Sequence, residues 1–259
     1  MAAPTHVVTN LTNTVETGAS MDVVLPNASG HAVGDLIIAA ILKDGTTAAT
    51  PAINAGSSLG IEDIDGTDDA VTILGPYNVG SAAAAQIYLV IGRALVTTAI
   101  TIALDTTSAD DKYMTISAFR DVNTGTTLAS IMEQNGTTTP ATSAGTSTTV
   151  ADAGVTTTGA DRLALNFVGV NDDNVVGAMT GMTGGTWVDR GQFASATGTD
   201  GAMSVQTAAM ASAGTIDGGS YTMLASDEWG VVGFALIGTT SASAPSLIWQ
   251  PAAPTPYRL

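Results

Sequence analysis

The chain has 259 residues, 45% of them hydrophobic and 12% charged, with 7 Lys and Arg against 23 Asp and Glu and a net charge of −16. So acidic a surface repels nucleic-acid phosphates and anionic lipid headgroups, while the ordinary apolar content is enough for a core, so we expect a folded protein that binds neither nucleic acid nor membrane. The absence of cysteine from the sequence excludes disulfides, thiolate nucleophiles and cysteine-based metal sites.

Short apolar runs separated by Gly, Asn, Asp, Ser and Thr recur along the chain, and this spacing predicts β-strands. In the first half we predict strands over residues 7–11, 20–25, 36–42, 71–74, 85–94, 100–104 and 114–120. In the second half we predict strands over residues 147–150, 163–170, 186–193, 203–209, 219–225 and 230–237. The best helix candidate is the alanine run within residues 80–95, but that run continues into a β-rich segment and fits a strand as well.

Two similar segments, one in each half of the chain, indicate an internal repeat. Residues 34–45 read GDLIIAAILKDG, and residues 160–172 read ADRLALNFVGVND. Each has a small residue and an Asp before an apolar run, and an Asp-bearing turn after it, which is the pattern of a core strand with turn aspartates at its ends. We therefore predict two similar halves, of about residues 20–136 and 147–238.

The predicted strands indicate an all-β fold, an antiparallel and jelly-roll-like β-sandwich over residues 1–238. The two halves either form tandem small sandwiches or interleave in one sandwich, so that each half supplies strands to both sheets. We favour the interleaved arrangement. The join over residues 137–158 is rich in Thr and Ser and has one proline, which is typical of a long surface crossing or an edge strand more than of a flexible linker.

The last segment, residues 239–259, differs from the rest because it contains four prolines, which interrupt strand pairing and predict an extended C-terminal arm. This arm carries apolar side chains that are costly to leave in water: Leu247, Ile248, Trp249 and Tyr257. A disordered tail is one interpretation. We favour an arm that docks on this subunit or on a neighbour, with Trp249 as its anchor, because buried aromatic side chains dominate interface energetics.

An acidic stretch, GIEDIDGTDD at residues 60–69, is the candidate metal site. Its oxygen ligands at a spacing suited to Ca²⁺ are Asp63, Asp65, Asp68 and Asp69. The stretch is not an EF-hand loop, because no Glu closes it at the twelfth position. A solvated acidic turn is the alternative, and the same two interpretations apply to residues 171–174. We predict no other cofactor.

The sequence shows no catalytic signature. His6 and His31 are the only histidines, and the Gly-x-Ser-x-Gly pattern of a nucleophile elbow is absent. No Gly-rich phosphate loop with its Lys is present. Arg120 adjoins Asp121, so we expect a local ion pair there. We therefore predict a protein that is not an enzyme.

Three short motifs carry a family resemblance: Gly34-Asp35 before an apolar strand, the strand end Ala-Phe-Arg-Asp-Val at residues 118–122, and Asp227-Glu-Trp229 before the last strand. Over about residues 30–240 the chain resembles β-sandwich (jelly-roll-like) structural proteins of tailed-phage virions, of the capsid decoration or tail-fibre type. It departs from them after the first of these strands, where Pro51 is not followed by a Trp-bearing turn. The resemblance implies a virion structural role and brings no catalytic residues.

We therefore expect a non-enzymatic virion structural protein, a capsid decoration or cement subunit that stabilises the particle through contacts between subunits. Its expected partners are further copies of itself and other virion proteins such as the major capsid protein. Its expected location is the outer surface of a virion that assembles in the host cytoplasm. The alternative is a receptor- or glycan-binding module of a tail fibre or cell-surface appendage.

Overall fold

The computed structural model describes residues 2–12, 20–27, 29–44, 52–53, 59–66, 71–80, 85–105, 112–195 and 200–239. These residues are nearly all β, with 66% strand and 2% helix, which confirms the predicted all-β class. The alanine run within residues 80–95, for which the sequence favoured neither helix nor strand, leads into a strand that begins at Ala85.

The first half of the chain forms one large sheet and one small sheet. Its strands are β1 (Thr5–Thr12), β2 (Ser20–Leu25), β3 (Leu36–Asp44), β4 (Ala52–Ile53), β5 (Ile61–Glu62), β6 (Thr72–Val79), β7 (Ala85–Ala94), β8 (Ile100–Asp105) and β9 (Lys112–Arg120). In the large sheet the order is β1-β9-β3-β7, and both β5 and β6 pair with β7. The small sheet has the order β2-β8-β4.

The second half repeats this plan. Its elements are α1 (Leu128–Ile131), β10 (Met132–Glu133), β11 (Ala141–Ala151), β12 (Val155–Thr157), β13 (Arg162–Val170), β14 (Val188–Ser195), β15 (Gly201–Met210), β16 (Gly214–Ile216) and β17 (Ser220–Ile237). The large sheet has the order β17-β13-β15-β14, with β10 and β11 on the other side of β17. The segments predicted as two strands over 219–225 and 230–237 are one strand, β17, and the predicted surface crossing contains β11, which pairs only with β17.

The strand pairs nest in the same way in both halves. The pairs β1–β9, β2–β8 and β3–β7 correspond to β11–β17, β12–β16 and β13–β15, and all of them are antiparallel. Pairing the first strand with the last and the second with the last but one is the wrapped arrangement of a jelly roll. The two similar halves are thus confirmed. The division lies before α1, so β10 at residues 132–133 belongs to the second half and not to the predicted first half of about residues 20–136. The favoured interleaving is wrong, because β1 to β9 supply the whole first large sheet and β10 to β17 the whole second one.

The two large sheets pack face to face and share one apolar core. In this core the side chains of Leu36 and Ile38 in β3 lie in one cluster with those of Leu165 and Phe167 in β13 and Phe234 in β17. The rings of Phe167 and Phe234 stack with centroids 6.1 Å apart. The halves are therefore not two separate sandwiches either, since each large sheet buries its inner face against the other.

The outer face of each large sheet is also covered. A second cluster joins Ile37 and Tyr88 to Leu25 and Ile102 of the small sheet β2-β8-β4. A third joins the outer face of the second large sheet to the pair β12–β16 and to Trp187. Because both faces are covered, β3, β7, β9 and β13 are buried almost continuously along their length, and β3 and β13 read as largely apolar runs instead of alternating ones.

In the first of the two repeated segments, Asp35 fixes the start of the central strand β3. The Asp35 carboxylate accepts a hydrogen bond from the Ala32 backbone N–H at 2.8 Å and one from the Arg120 side chain at 2.8 Å. Asp35 is buried, and its partner lies 85 residues away. The hydrogen bond and charge of Asp35 raise the pKa of Arg120, and the charge of Asp121 adds a smaller contribution. The local pair with Asp121 that we expected from the sequence is therefore not the main contact of Arg120.

The sandwich has two distinct ends. At the arm end lie the starts of β3 and β13 and the last described residue, Thr239, whose N–H donates to the Asp121 carbonyl at 2.9 Å. At the opposite end, which we call the ribbon end, lie the end of β13 and the start of β17.

Candidate binding surface

The ribbon end is shaped by a bulge in β17. From Ser220 to Glu228 this strand pairs with β11 but not with β13, because its pairing with β13 begins at Trp229. Ser220 also forms an isolated bridge with Thr180. Thr222 pairs with Thr149 and Asp227 with Ser147, so four residues of β17 face a single residue of β11. We call these four residues, Met223–Ser226, the β17 bulge.

The bulge places a large apolar side chain in solvent. Met223 turns inward and is buried, whereas Leu224 has a relative exposure of 101%. A groove of about 400 Å³ lies next to it, and we call it the ribbon groove: its lining is Asp173, Asn174, Val175, Tyr221, Thr222 and Leu224. Val175 is also exposed, at 37%. Adjacent exposed apolar side chains beside a concave surface are typical of an interaction site.

Carboxylates border the ribbon groove. Asn174 donates its side-chain N–H to Asp227 Oδ2 at 3.5 Å, and the Glu228 backbone N–H donates to Asp227 Oδ1 at 2.7 Å. Burial, and next the hydrogen-bonded carboxyl of Asp172, raise the pKa of Asp227 to about 6. A hydrogen bond with Asp172 also raises the pKa of Asp173. This border is thus acidic and holds protons more tightly than isolated aspartates do.

We expect Asp227→Asn to stabilise the protein at pH 8 and to have little effect at pH 4. The pKa of Asp227 is about 6 in the folded state against an ordinary value of 3.8, so ionisation destabilises the folded state, and this cost is fully present above pH 6. Solvent screening limits the gain to about 1 kcal/mol, which is about 2–4 °C in melting temperature for a chain of this size. Melting curves of both proteins across pH 4–8 check this, and a gain that does not grow with pH would contradict it.

The predicted calcium site lies partly in the described chain. Asp63 Oδ1 accepts hydrogen bonds from the Ile64 backbone N–H at 2.7 Å and from Thr72 Oγ1 at 3.0 Å, as in a turn. Asp65 is described as well, whereas Asp68 and Asp69 lie outside the described residues. Among the described residues no group of three or more His, Asp or Glu side chains is placed to hold a metal ion. The calcium site stays a prediction. A melting midpoint of the protein that is the same with and without EDTA would contradict it.

The predicted interface residues of the arm, Leu247, Ile248, Trp249 and Tyr257, all lie outside the described residues. The ribbon groove is the surface that sequence reasoning missed. Its one signal was the polar gap at residues 226–229 between two predicted strands, which in the structure follows a bulge within a single strand.

Both histidines contact hydroxyl groups. His6 Nε2 lies 2.7 Å from Thr9 Oγ1, which lies 2.9 Å from Ser117 Oγ. Burial, and then the charge of Arg190, lower the pKa of His6 to about 4, so the ring is neutral at pH 7. Ser117 is fully buried, out of reach of a substrate. His31 Nδ1 contacts Ser29 Oγ, and its Nε2 has no hydrogen-bond partner that would orient the ring as a base.

A second groove, of about 380 Å³, lies where the edge strands β6 and β11 approach each other. Its lining is Pro76, Tyr77, Asn78, Gly80, Thr142 and Ala144. Burial raises the pKa of Tyr77 to about 12, so its hydroxyl keeps its proton and can donate a hydrogen bond at neutral pH. This groove combines an aromatic ring with an amide and a hydroxyl group.

The helix α1 has four residues, and the described part of the chain contains no helix with the length and apolarity of a membrane span. No protein-family model matches the chain, and searches of curated proteins and of solved structures also found no match.

Proposed function

We propose that this protein is a non-enzymatic structural subunit of a phage particle, a capsid decoration or cement protein on the outer surface of the virion. It binds assembled shell proteins such as the major capsid protein, and further copies of itself, and adds free energy to the assembled state by mass action. The acidic surface fits an external position away from packaged nucleic acid.

The observation that carries this proposal is the ribbon groove, where the exposed apolar side chains of Leu224 and Val175 border a concave surface. Both faces of the two large sheets are buried under other elements. The other exposed large apolar side chains of the described residues lie outside this groove: Val33, Leu59, Leu95 and Val188. An exposed apolar groove on a well-packed body suits repeated contacts in a particle.

Deleting residues 240–259 is expected to abolish co-sedimentation of the protein with assembled particles. The full chain should be present in high copy number and raise the melting temperature of the particles. The deletion should leave the melting temperature of the isolated protein unchanged, because the apolar clusters formed by the described residues lie within residues 7–236. Wild-type occupancy by the shortened chain would contradict the role of the arm, and absence of the full chain from particles would contradict the proposed function.

The groove between β6 and β11 favours the second candidate, a receptor- or glycan-binding module of a tail fibre or cell-surface appendage. An aromatic ring flanked by amide and hydroxyl groups can stack on and hydrogen-bond to a sugar. This candidate predicts that the isolated protein binds host cells or glycans, is present in few copies per particle, and loses that binding with Tyr77→Ala.

A further inference from the structure

We infer that the ribbon groove of one copy of this protein receives residues 247–249 of the C-terminal arm of a second copy. The inference deepens the proposed function by naming the surface to which the arm binds, and it rests on the premise that the arm is an assembly element. The resulting contact is head to tail, joining the arm end of one copy to the ribbon end of the next.

The ribbon groove requires an apolar partner. Leu224 is wholly exposed, next to the buried Met223 in the β17 bulge. Tyr221 and Val175 add further apolar surface to the lining of the groove. Burying one leucine side chain of this kind gains about 1.5–3 kcal/mol, so an apolar segment with an aromatic anchor is the matching occupant. Residues 247–249, Leu-Ile-Trp, have this chemistry.

The position of the arm makes the occupant a second copy. The last described residue, Thr239, lies at the arm end, and Asp227 at the ribbon end is twelve residues back along the chain, about 40 Å away. The ten residues from Thr239 to Trp249 span at most about 36 Å when fully extended. The chain also points away from the ribbon end at Thr239 and would have to reverse first. Residues 247–249 therefore fall short of the groove of their own subunit.

Charge favours the same pairing. Residues 240–259 contain one basic side chain, Arg258, and no acidic one, so all 23 acidic side chains lie in the remainder of the chain. The groove is bordered by Asp173 and Asp227, and contact with another acidic body would be repulsive there. An arm without acidic side chains would not be repelled by these carboxylates.

Two complementary variants test the contact. Leu224→Asp has an intact arm and a damaged groove, whereas the chain without residues 240–259 has an intact groove and no arm. Val188→Asp, at an exposed apolar residue on the edge strand β14, is the matched control. Molecular mass is measured by sedimentation over a range of concentrations, and circular dichroism melting verifies that each variant is folded. Because Leu224 is fully exposed, Leu224→Asp should melt as the wild type does.

We expect the wild type and Val188→Asp to self-associate, each complementary variant alone to be monomeric, and their equimolar mixture to form a dimer with one copy of each. Trp249→Ala should weaken self-association by about 30-fold or more, the loss typical of a buried aromatic anchor. A monomeric wild type, a mixture that stays monomeric, or self-association of Leu224→Asp would each overturn the inference. Self-association without binding to particles would leave the contact established and refute the proposed function instead.

Discussion

Replacing Phe234 by alanine is expected to lower the free energy of unfolding by about 3–5 kcal/mol and to destabilise both halves of the chain together. Phe234 is fully buried in the core between the two large sheets and stacks on Phe167. The cavity left by its ring would open against side chains of β3 and β7 as well as against its own sheet. Loss of packing on this shared core weakens the contact that holds the halves to each other.

The measurement is chemical denaturation of both proteins, with amide hydrogen exchange resolved for β3, β7, β13 and β17. We expect one cooperative transition and a parallel loss of protection in the two sheets. Leu224→Ala, which truncates an exposed side chain, is the control and should change stability by less than about 0.5 kcal/mol. Protection that falls in β13 and β17 but persists in β3 and β7 would show that the halves unfold independently.

The strands were predictable because their ends carry strong local signals. The limits of β2 and β7 match the predicted ranges 20–25 and 85–94. The repeat of the Gly/Ala-Asp-apolar segment correctly predicted two similar halves, because β3 and β13 are the central strands of their sheets. The predicted role of Asp35 at a strand end is also confirmed, although its partner Arg120 is distant in sequence.

The arrangement of the halves could not be read from the same signals. A strand that is buried on both faces reads as a continuous apolar run, whether the layer packed on its second face is a large sheet or a small one. The runs of β3 and β13 are therefore consistent with tandem, interleaved or back-to-back sheets, and only the pairing of strands some 80 residues apart, such as β3 with β9, decides among them.

The ribbon groove was hidden for a related reason. Leu224 lies in a segment whose composition is that of a strand, and a strand leucine is ordinarily interpreted as buried. Its exposure results from the four-against-one bulge, which is a property of the pairing between β11 and β17. Val175 and Asp173 reach the same groove from a loop that is separated from β17 by β14, β15 and β16.

Replacing Glu133 by glutamine is expected to destabilise the protein by about 3 kcal/mol at pH 7, by leaving the charge of Arg162 without its partner. Glu133 Oε1 accepts a hydrogen bond from Arg162 Nε at 2.8 Å, and Oε2 accepts one from Thr158 Oγ1 at 2.6 Å. The side chains of Glu133 and Arg162 are only 8% and 13% exposed. This pair fixes β10 to the start of β13, the strand at the centre of the second large sheet.

The pH dependence of that loss separates the ion pair from simple packing. Burial alone would raise the pKa of Glu133, but the hydrogen bonds of Thr158 and Arg162 and the charge of Arg162 outweigh it and hold the pKa below its ordinary value of 4.5. A depressed pKa stabilises the folded state above pH 4.5, and this contribution is lost as pH falls through the folded-state pKa. The difference between wild type and Glu133→Gln should therefore be large at pH 7 and shrink at pH 3.

The double variant Glu133→Gln with Arg162→Leu should be more stable at pH 7 than Glu133→Gln alone, because no unpaired charge remains. Equal losses at both pH values, with a double variant no better than the single one, would mean that packing and not the ion pair fixes β10 to β13.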